Sequence, residues 1–184
     1  MRFFECINRD KNLWREVEVN VDKDVATSAK DGVVYAHGRN KKELWPAILE
    51  KAFAQWEGGY EEINNGGLTG GVYEALTGKS MANSAVFSPS VDDAFSRINS
   101  ALAQGRPVVA GTYDDQSVNY TNTGIEPWHA YTVLGAVEEG GEKYVQLRNP
   151  WGQFEPSGNG KDDGVFKLDL ATFGKLFVDL KIGD

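Results

Sequence analysis

The sequence predicts a mixed α+β fold, and three observations lead to that class. Near the N-terminus, apolar and charged residues alternate with the period of a half-buried strand. Residues 43–57 and 90–105 instead repeat their apolar side chains at helical spacing. Residues 128–152 form two apolar runs joined by the polar turn EEGG, which is typical of a β-hairpin.

The composition is that of an ordinary globular protein. The 184 residues are 41% hydrophobic and 25% charged, which suffices for one domain or two small lobes. The net charge is -8 and the basic residues do not cluster, so we expect neither nucleic acid nor an anionic membrane as a partner. No apolar run approaches the ~20 residues of a membrane span, and the N-terminus lacks a signal peptide's apolar core. A cytoplasmic chain is therefore the default expectation.

The first part of the chain reads as a strand pair followed by a helix. Residues 1–9 and 13–22 are predicted to pair, and a helix is predicted over 43–57 with Pro46 in its first turn. The single cysteine, Cys6, falls inside the first strand and excludes an internal disulfide framework. Because no helix start or positive neighbour activates its thiol, we expect Cys6 to be a small buried apolar residue.

The second part begins after a polar connector. Residues 79–90 are predicted to be this connector, and they set a boundary between two regions, 1–80 and 81–184. Ser90 is expected to cap the helix that Gly105 ends. The remaining predicted elements are a strand at 107–112, a polar loop at 113–127, the hairpin, a loop at 153–164, a strand at 165–168, a helix at 169–177 and a strand at 178–182.

The hairpin brings a histidine and an asparagine together. Counting outward from Glu139 and Gly140, His129 comes opposite Asn149 or Pro150, because residues equidistant from the turn face each other. An asparagine oxygen in this place can fix the tautomer of a histidine that activates a thiol. A buried histidine with an incidental asparagine would give the same spacing, so the residues alone leave both interpretations open.

Two segments of the hairpin, HAYTVLG and LRNPWG, resemble the His and Asn segments of calpain-type cysteine proteases, which belong to the papain-like group. The resemblance implies that His129 is the general base, that Asn149 orients it and that Trp151 shields the pair from water. The segments WREVEVNVD, LWPAILEKAFAQWEGGYEEINNGG and DGVFKLDLATFGKLF resemble further parts of the same family. His37 falls on a structural loop histidine of the family rather than on the catalytic one.

The resemblance also implies a papain-like cysteine proteinase fold. Residues 1–80 would be the C-terminal portion of the helical Cys lobe, and residues 81–184 the β-rich His/Asn lobe. Gly66 and Gly67 match a family segment whose bare backbone binds substrate, which suits glycine because no side chain blocks close approach. Trp128 stands where the family commonly has a glycine before the catalytic histidine. Its indole, beside the base, is expected to narrow the cleft or to alter substrate preference.

One part of the family pattern has no match in this sequence. The family carries its nucleophile in a G-D-C-W segment preceded by an oxyanion-hole glutamine, whereas Cys6 aligns with a strand position. We therefore expect this chain to supply the base and orienter of a cysteine endopeptidase, with the thiol supplied by an N-terminal segment or another chain. Its partners would be that segment and a protein or peptide substrate. The alternatives are an inactive pseudoprotease acting as a binding or regulatory module, and an acyltransferase or deamidase on the same scaffold.

Hydrolysis of this kind requires no cofactor, but calpain cores bind calcium through oxygen ligands. By resemblance, Glu43 falls on a first-lobe ligand, and Glu155, Asp162 and Asp163 fall on second-lobe ligands. The family's next acid is Val165 here and the loop is shorter, so solvated surface carboxylates are the favoured interpretation.

A missing nucleophile helix would also leave part of the first lobe uncovered. We expect the face of the helix that bears Trp45 and Trp56 to lose cover, which promotes association with a partner or a second copy.

Overall fold

Helices and strands are interspersed along the chain, and the fold is α+β as predicted. The computed structural model describes residues 1–29, 32–34, 36, 43–64, 67, 69–87, 89–156 and 163–184. The chain divides into two compact units, Met1–Lys79 and Ser80–Asp184. No helix in the described part is long and apolar enough to span a membrane.

The first unit combines short strands with three helices. The predicted strand pair and first helix are confirmed, and the turn between the strands places Asn12 at a φ of 46°. The two helices that follow were not predicted. The elements are β1 (Arg2–Asn8), β2 (Leu13–Glu18), β3 (Thr27–Ser28), β4 (Gly32–Val33), α1 (Trp45–Glu57), α2 (Tyr60–Asn64) and α3 (Thr69–Thr77).

Aromatic packing between β1 and α1 organises the core of this unit. Phe3 is fully buried, and its ring stacks on that of Trp56 at 5.5 Å between centroids. The Phe3 and Phe53 rings lie 6.1 Å apart. Trp56 is therefore covered by the strand pair, whereas Trp45, at the start of α1, is 61% exposed. Of the two tryptophans expected to lose cover, the structure exposes one.

The second unit is built on a six-stranded antiparallel sheet with the strand order β5-β10-β6-β7-β8-β9. Helix α4 packs on the sheet, and the Ser90 hydroxyl accepts the Asp93 amide at 3.1 Å, which confirms the predicted cap. The elements are β5 (Met81–Ala85), α4 (Val91–Ala103), β6 (Val108–Thr112), β7 (Ala130–Glu139), β8 (Glu142–Arg148), β9 (Val165–Asp169), α5 (Leu170–Leu176) and β10 (Phe177–Gly183).

The prediction of a plain connector at 79–90 is wrong, because β5 lies inside it. This strand forms one edge of the sheet and pairs along its length with β10, from Met81 opposite Gly183 to Ala85 opposite Asp179. Its sequence, MANSA, lacks the apolar alternation that predicts a strand. In the structure, accordingly, none of its side chains is fully buried. Backbone hydrogen bonds to the neighbouring strand hold it in the sheet, and these leave no periodic signal in a sequence.

The register predicted for the hairpin is also wrong in detail. Gly140 and Gly141 form the turn, both with positive φ, so Glu139 pairs with Glu142. A bulge at Leu134 then shifts the ladder by one residue, and its last pair is Thr132 with Arg148. His129 therefore does not face Asn149 within the ladder.

Candidate active site

His129 and Asn149 meet just beyond the ends of two neighbouring strands. His129 immediately precedes β7, and Asn149 immediately follows β8. Because the strands are antiparallel neighbours, the start of β7 and the end of β8 lie side by side at the same end of the sheet. There, His129 Nε2 lies 3.0 Å from Asn149 Oδ1. The structure thus brings together the two residues that the sequence singled out, by contact beyond the ladder.

The Asn149 side chain is fully buried, and its surroundings fix its orientation. Its Nδ2 donates to the Phe154 carbonyl oxygen at 3.3 Å, and its Oδ1 accepts the Trp151 amide at 3.1 Å. The backbone of Asn149 is held as well, by its amide to Gly164 O at 2.8 Å and by Gly152 N to its carbonyl at 3.0 Å. Rotating the carboxamide by 180° would set donor against donor and acceptor against acceptor, so Oδ1 must face His129.

This orientation determines which nitrogen of His129 carries the proton. Asn149 Oδ1 can only accept, so the Nε2 that faces it must donate. In the neutral ring, Nδ1 then has the free lone pair. Among the described residues, none hydrogen-bonds to Nδ1. The arrangement leaves one imidazole nitrogen anchored and the other able to take a proton.

The backbone of His129 is fixed by Thr112, the last residue of β6. The His129 amide donates to Thr112 Oγ1 at 2.9 Å, and the Thr112 amide donates to the His129 carbonyl at 3.0 Å. The Thr112 hydroxyl in turn lies 2.9 Å from Glu126 O, to which it can donate. Thr112 is buried, and the sequence analysis did not identify it. Its one sequence signal is a hydroxyl residue at the end of an apolar strand.

Aromatic rings pack on His129. The Trp151 ring lies 4.5 Å from the imidazole between centroids, and the buried Tyr131 ring meets it edge-on at 4.9 Å. Burial raises the pKa of the Tyr131 hydroxyl above its ordinary value. Trp151 is itself half exposed and touches Phe154 edge-on at 6.1 Å. The rings exclude water from parts of the imidazole.

Trp128, the residue before His129, has an unusual backbone. Its φ is 50°, in the left-handed region that glycine adopts without strain, and its side chain is 78% exposed. The Trp128 amide donates to Tyr113 O at 3.0 Å, which holds this conformation. The chain thus keeps a glycine-like backbone while presenting a large indole to solvent next to His129.

Of the two predicted substrate glycines, the structure describes Gly67, in the first unit. Gly67 is exposed, and a side chain added there would meet nothing within 4 Å. Gly66 and His37 lie outside the described residues.

The predicted calcium ligands do not form a metal site within the part of the chain that is described. No three His, Cys, Asp or Glu side chains converge there, and Asp162 lies outside it. Glu43 accepts the Trp45 indole N–H at 3.4 Å. Glu155 accepts the Asp163 amide through Oε1 at 3.0 Å, while its Oε2 is buried without a hydrogen-bond partner among the described residues. Calcium binding at these residues stays a prediction.

Cys6 is placed as the sequence predicts, inside a strand. It lies in β1 opposite Trp14 and is half buried. No helix begins there, so the thiol lacks the dipole that activates nucleophilic cysteines.

Comparison with known proteins points to one family. A sequence model described as "Calpain family cysteine protease" matches residues 10–165, a stretch that begins after Cys6. The chain is 35% identical to the calpain-2 catalytic subunit of Mus musculus over 157 residues, which cover 80% of this chain and 22% of that protein. It is 32% identical to calpain-9 of Mus musculus over 192 aligned residues, or 92% of this chain and 27% of that protein. A calpain-type cysteine protease of Oryza sativa subsp. japonica, ADL1, is 35% identical over 141 residues, or 73% and 6%. The chain spans less than a third of each relative.

The first prediction concerns the tautomer of His129. At about pH 8, where an ordinary histidine is neutral, ¹⁵N-detected NMR should show His129 protonated at Nε2. Asn149→Ala should remove this preference and give a mixture of tautomers. His37→Gln assigns the signals, because the chain has two histidines. Unchanged Nε2 protonation in the Asn149→Ala protein would contradict the assignment.

The second prediction concerns Gly164, whose carbonyl holds the Asn149 backbone. Its φ is 75°, and an added Cβ would lie 3.0 Å from Asn149 O and 3.1 Å from Gln153 N. Gly164→Ala should therefore lower the free energy of unfolding by about 2–4 kcal/mol. Gly140→Ala is the matched control, since its φ is 63° but nothing lies within 4 Å; it should cost about 1–2 kcal/mol. Equal losses in urea titrations would show that the backbone around Asn149 relaxes freely.

Proposed function

Because the chain belongs to the calpain family of cysteine proteases, we propose that it supplies the base and the orienting amide for peptide-bond hydrolysis through a thioester. The observation that supports this most directly is the 3.0 Å contact between His129 Nε2 and the fully buried Asn149 Oδ1. It anchors the imidazole by one nitrogen and leaves Nδ1 free to take a proton. In this proposal the second unit is the β-rich lobe of a papain-like fold, and the first unit is part of its Cys lobe.

The proposed reaction moves one proton through Nδ1 in both directions. Nδ1 takes the proton of a thiol, and the thiolate sulfur attacks the substrate carbonyl carbon. The C–N bond then breaks as the imidazolium returns the proton to the departing amine. In the second half, Nδ1 takes a proton from water, the hydroxide attacks the thioester, and the thiol leaves with that proton. Asn149 keeps the ring oriented throughout, and Trp151 shields it from water. No step uses a metal ion.

The thiol in this reaction is not that of Cys6. Cys6 lies within a strand, away from any helix N-terminus, and the family match begins after it. We propose that a polypeptide segment outside residues 1–184 carries the nucleophile, either upstream in a longer chain or on a separate chain. The substrate is a protein or peptide, since the thioester step acts on an amide carbonyl.

The third prediction tests this function. The protein isolated from its native source should be a longer polypeptide or should contain a second chain, as intact mass and chain composition will show. In that assembly an alkylating probe should label a cysteine other than Cys6. His129→Ala should reduce peptide hydrolysis by about 10²–10⁴-fold, the usual contribution of a general base, while Cys6→Ser leaves it unchanged.

The contrary result is as informative. A lone species of 20.2 kDa that hydrolyses no peptide would contradict the enzymatic proposal. The remaining interpretation would then be a binding or regulatory module. Circular dichroism of His129→Ala checks that a loss of activity does not reflect unfolding. Products formed by acyl transfer or by glutamine deamidation, instead of cleaved peptides, would assign the same machinery to an acyltransferase or a deamidase.

The fourth prediction concerns Trp128 as a substrate-contacting residue. Its indole is 78% exposed beside the base, so it offers a large apolar surface to substrate side chains near the scissile bond. In the assembled enzyme, Trp128→Gly should lower kcat/KM about tenfold for peptides with bulky apolar residues there, and much less for peptides with small ones. The fold should tolerate the change, because a φ of 50° suits glycine.

The matched control is Leu134→Ala, which shortens another exposed apolar residue further along β7. It should leave the ratio of kcat/KM between the two peptide sets unchanged. If Trp128→Gly and Leu134→Ala behave alike, Trp128 does not determine specificity.

A further inference from the structure

A tight turn, Glu126-Pro127-Trp128-His129, ends on the histidine of the candidate site. Pro127 takes the second position of the turn, where its fixed φ is favoured, and Trp128 takes the third with a φ of 50°. Proline followed by a positive φ is the pattern of a type II turn, whose third residue is usually glycine. Because the last residue of the turn is His129 itself, the conformation of the turn determines where the imidazole starts.

The hydrogen bond that usually closes such a turn is replaced by the Thr112 hydroxyl. In a closed turn, the amide of the last residue donates to the carbonyl of the first. Here the His129 amide donates to Thr112 Oγ1 at 2.9 Å, and Thr112 Oγ1 lies 2.9 Å from the Glu126 carbonyl oxygen. The hydroxyl has one proton to give, and the His129 carbonyl, 3.1 Å away, already accepts the Thr112 amide. The hydroxyl proton therefore goes to the Glu126 carbonyl, and Thr112 bridges the two ends of the turn.

The start of the turn is fixed independently of Thr112. The Glu126 amide donates to the hydroxyl oxygen of Tyr131 at 2.9 Å, and the Tyr131 side chain is fully buried in the core of the second unit. Ile125, the residue before the turn, is buried in the same core. With its start held in this way, the turn can shift mainly at its end, where the Thr112 hydroxyl holds His129.

The turn needs such a contact because its backbone is strained. A residue with a side chain is disfavoured at the φ of Trp128, and a strained residue persists only where its surroundings hold it. Thr112 is buried, so little water is available to replace its hydroxyl. Loss of the hydroxyl would leave the His129 amide without its acceptor and allow the turn to relax. The imidazole, whose Nε2 lies 3.0 Å from Asn149 Oδ1, would then move with its backbone.

We propose that Thr112 is a positioning residue for His129, and that its hydroxyl holds the strained turn so that Nε2 stays in contact with Asn149 Oδ1. The consequence for hydrolysis rests on the proposed function, since a displacement of about 1 Å near a reacting group can lower a rate about 10²-fold. The consequence for the imidazole does not rest on it, because the contact with Asn149 exists without a thiol.

The fifth prediction is that removal of the Thr112 hydroxyl loosens the anchored nitrogen of His129. Exchange of the Nε2 proton with water is measured by ¹H–¹⁵N NMR on the full chain, which requires no nucleophile. Thr112→Val replaces the hydroxyl by a methyl group of similar size. It should speed the exchange at least about tenfold, because a hydrogen-bonded proton exchanges when its contact opens. Thr112→Ser keeps the hydroxyl and should keep the exchange slow.

Thr123→Val is the matched control. The Thr123 hydroxyl donates to Tyr120 O at 2.7 Å and accepts the Ile125 amide at 3.1 Å, so it also bridges a carbonyl and an amide of the loop before His129. It makes no contact with His129, and its removal should leave exchange at Nε2 unchanged. In the assembled enzyme, Thr112→Val should lower kcat about ten- to a hundredfold with little change in KM, whereas Thr123→Val should leave kcat unchanged.

Three results would overturn the proposal. Unchanged exchange in Thr112→Val would show that Asn149 holds the ring without help from the turn. Equal acceleration in Thr112→Val and Thr123→Val would indicate a general loosening of the loop. Fast exchange in Thr112→Ser would assign the effect to the methyl group of Thr112 and not to its hydroxyl.

A second variant serves if Thr112→Val does not fold, as circular dichroism will show. Tyr131→Phe removes the acceptor of the Glu126 amide and keeps the aromatic ring, so it should also speed exchange at Nε2. Slow exchange in Tyr131→Phe would then count against control of His129 by the turn. Accelerated exchange in a chain that hydrolyses no peptide in any assembly would support the positioning role and contradict the proposed function alone.

Discussion

A carboxamide removed from water must satisfy its donors and its acceptor within the protein, since an unpaired buried polar group costs about 1–3 kcal/mol. Asn149 is fully buried, and the structure around it pairs Nδ2 with Phe154 O and pairs Oδ1 with the Trp151 amide and His129 Nε2. The orientation of His129 follows from this accounting. Moving Phe154 O would remove the partner of the buried Nδ2, and moving the Trp151 amide or His129 Nε2 would remove one of the two partners of the buried Oδ1. The position of the imidazole is therefore coupled to the stability of the second unit.

The same requirement shapes the backbone on both sides of Asn149. The turn after β8 has to curl so that the Trp151 amide and the Phe154 carbonyl both reach one side chain. Gly152 and Phe154 accordingly adopt positive φ, at 68° and 59°. On the other strand Trp128 does so at 50°. Glycine meets this demand freely, whereas Phe154 and Trp128 are strained. Strained residues persist where the surroundings over-determine them, and such places are often functional sites.

The sequence predicts the parts of this arrangement that depend on local pattern. The cap at Ser90, the α1 stripe and the paired strands at the N-terminus are encoded by residue type and period, and HAYTVLG with LRNPWG identifies His129 and Asn149. It does not predict β5, whose polar residues are held by backbone bonds to β10. The sequence also does not predict the bulge at Leu134 or the contact between Thr112 and His129, because both depend on how neighbouring strands pair and where they end. Periodicity reports which face of an element is buried and carries no information about register.

Each unit carries one feature whose chemistry points to a further polypeptide. In the second unit, an imidazole with one nitrogen anchored can act as a general base only beside a group that can give it a proton. The chain's own cysteine, Cys6, lies within strand β1, opposite Trp14. In the first unit, apolar side chains on α1 and α3 are exposed to solvent. The two features rest on independent physics, proton transfer in one case and burial of apolar surface in the other. At His129 a further polypeptide would have to supply a thiol, whereas the apolar surface of the first unit requires only apolar cover, so the presence of a cysteine in the partner decides between an enzyme and a docking module.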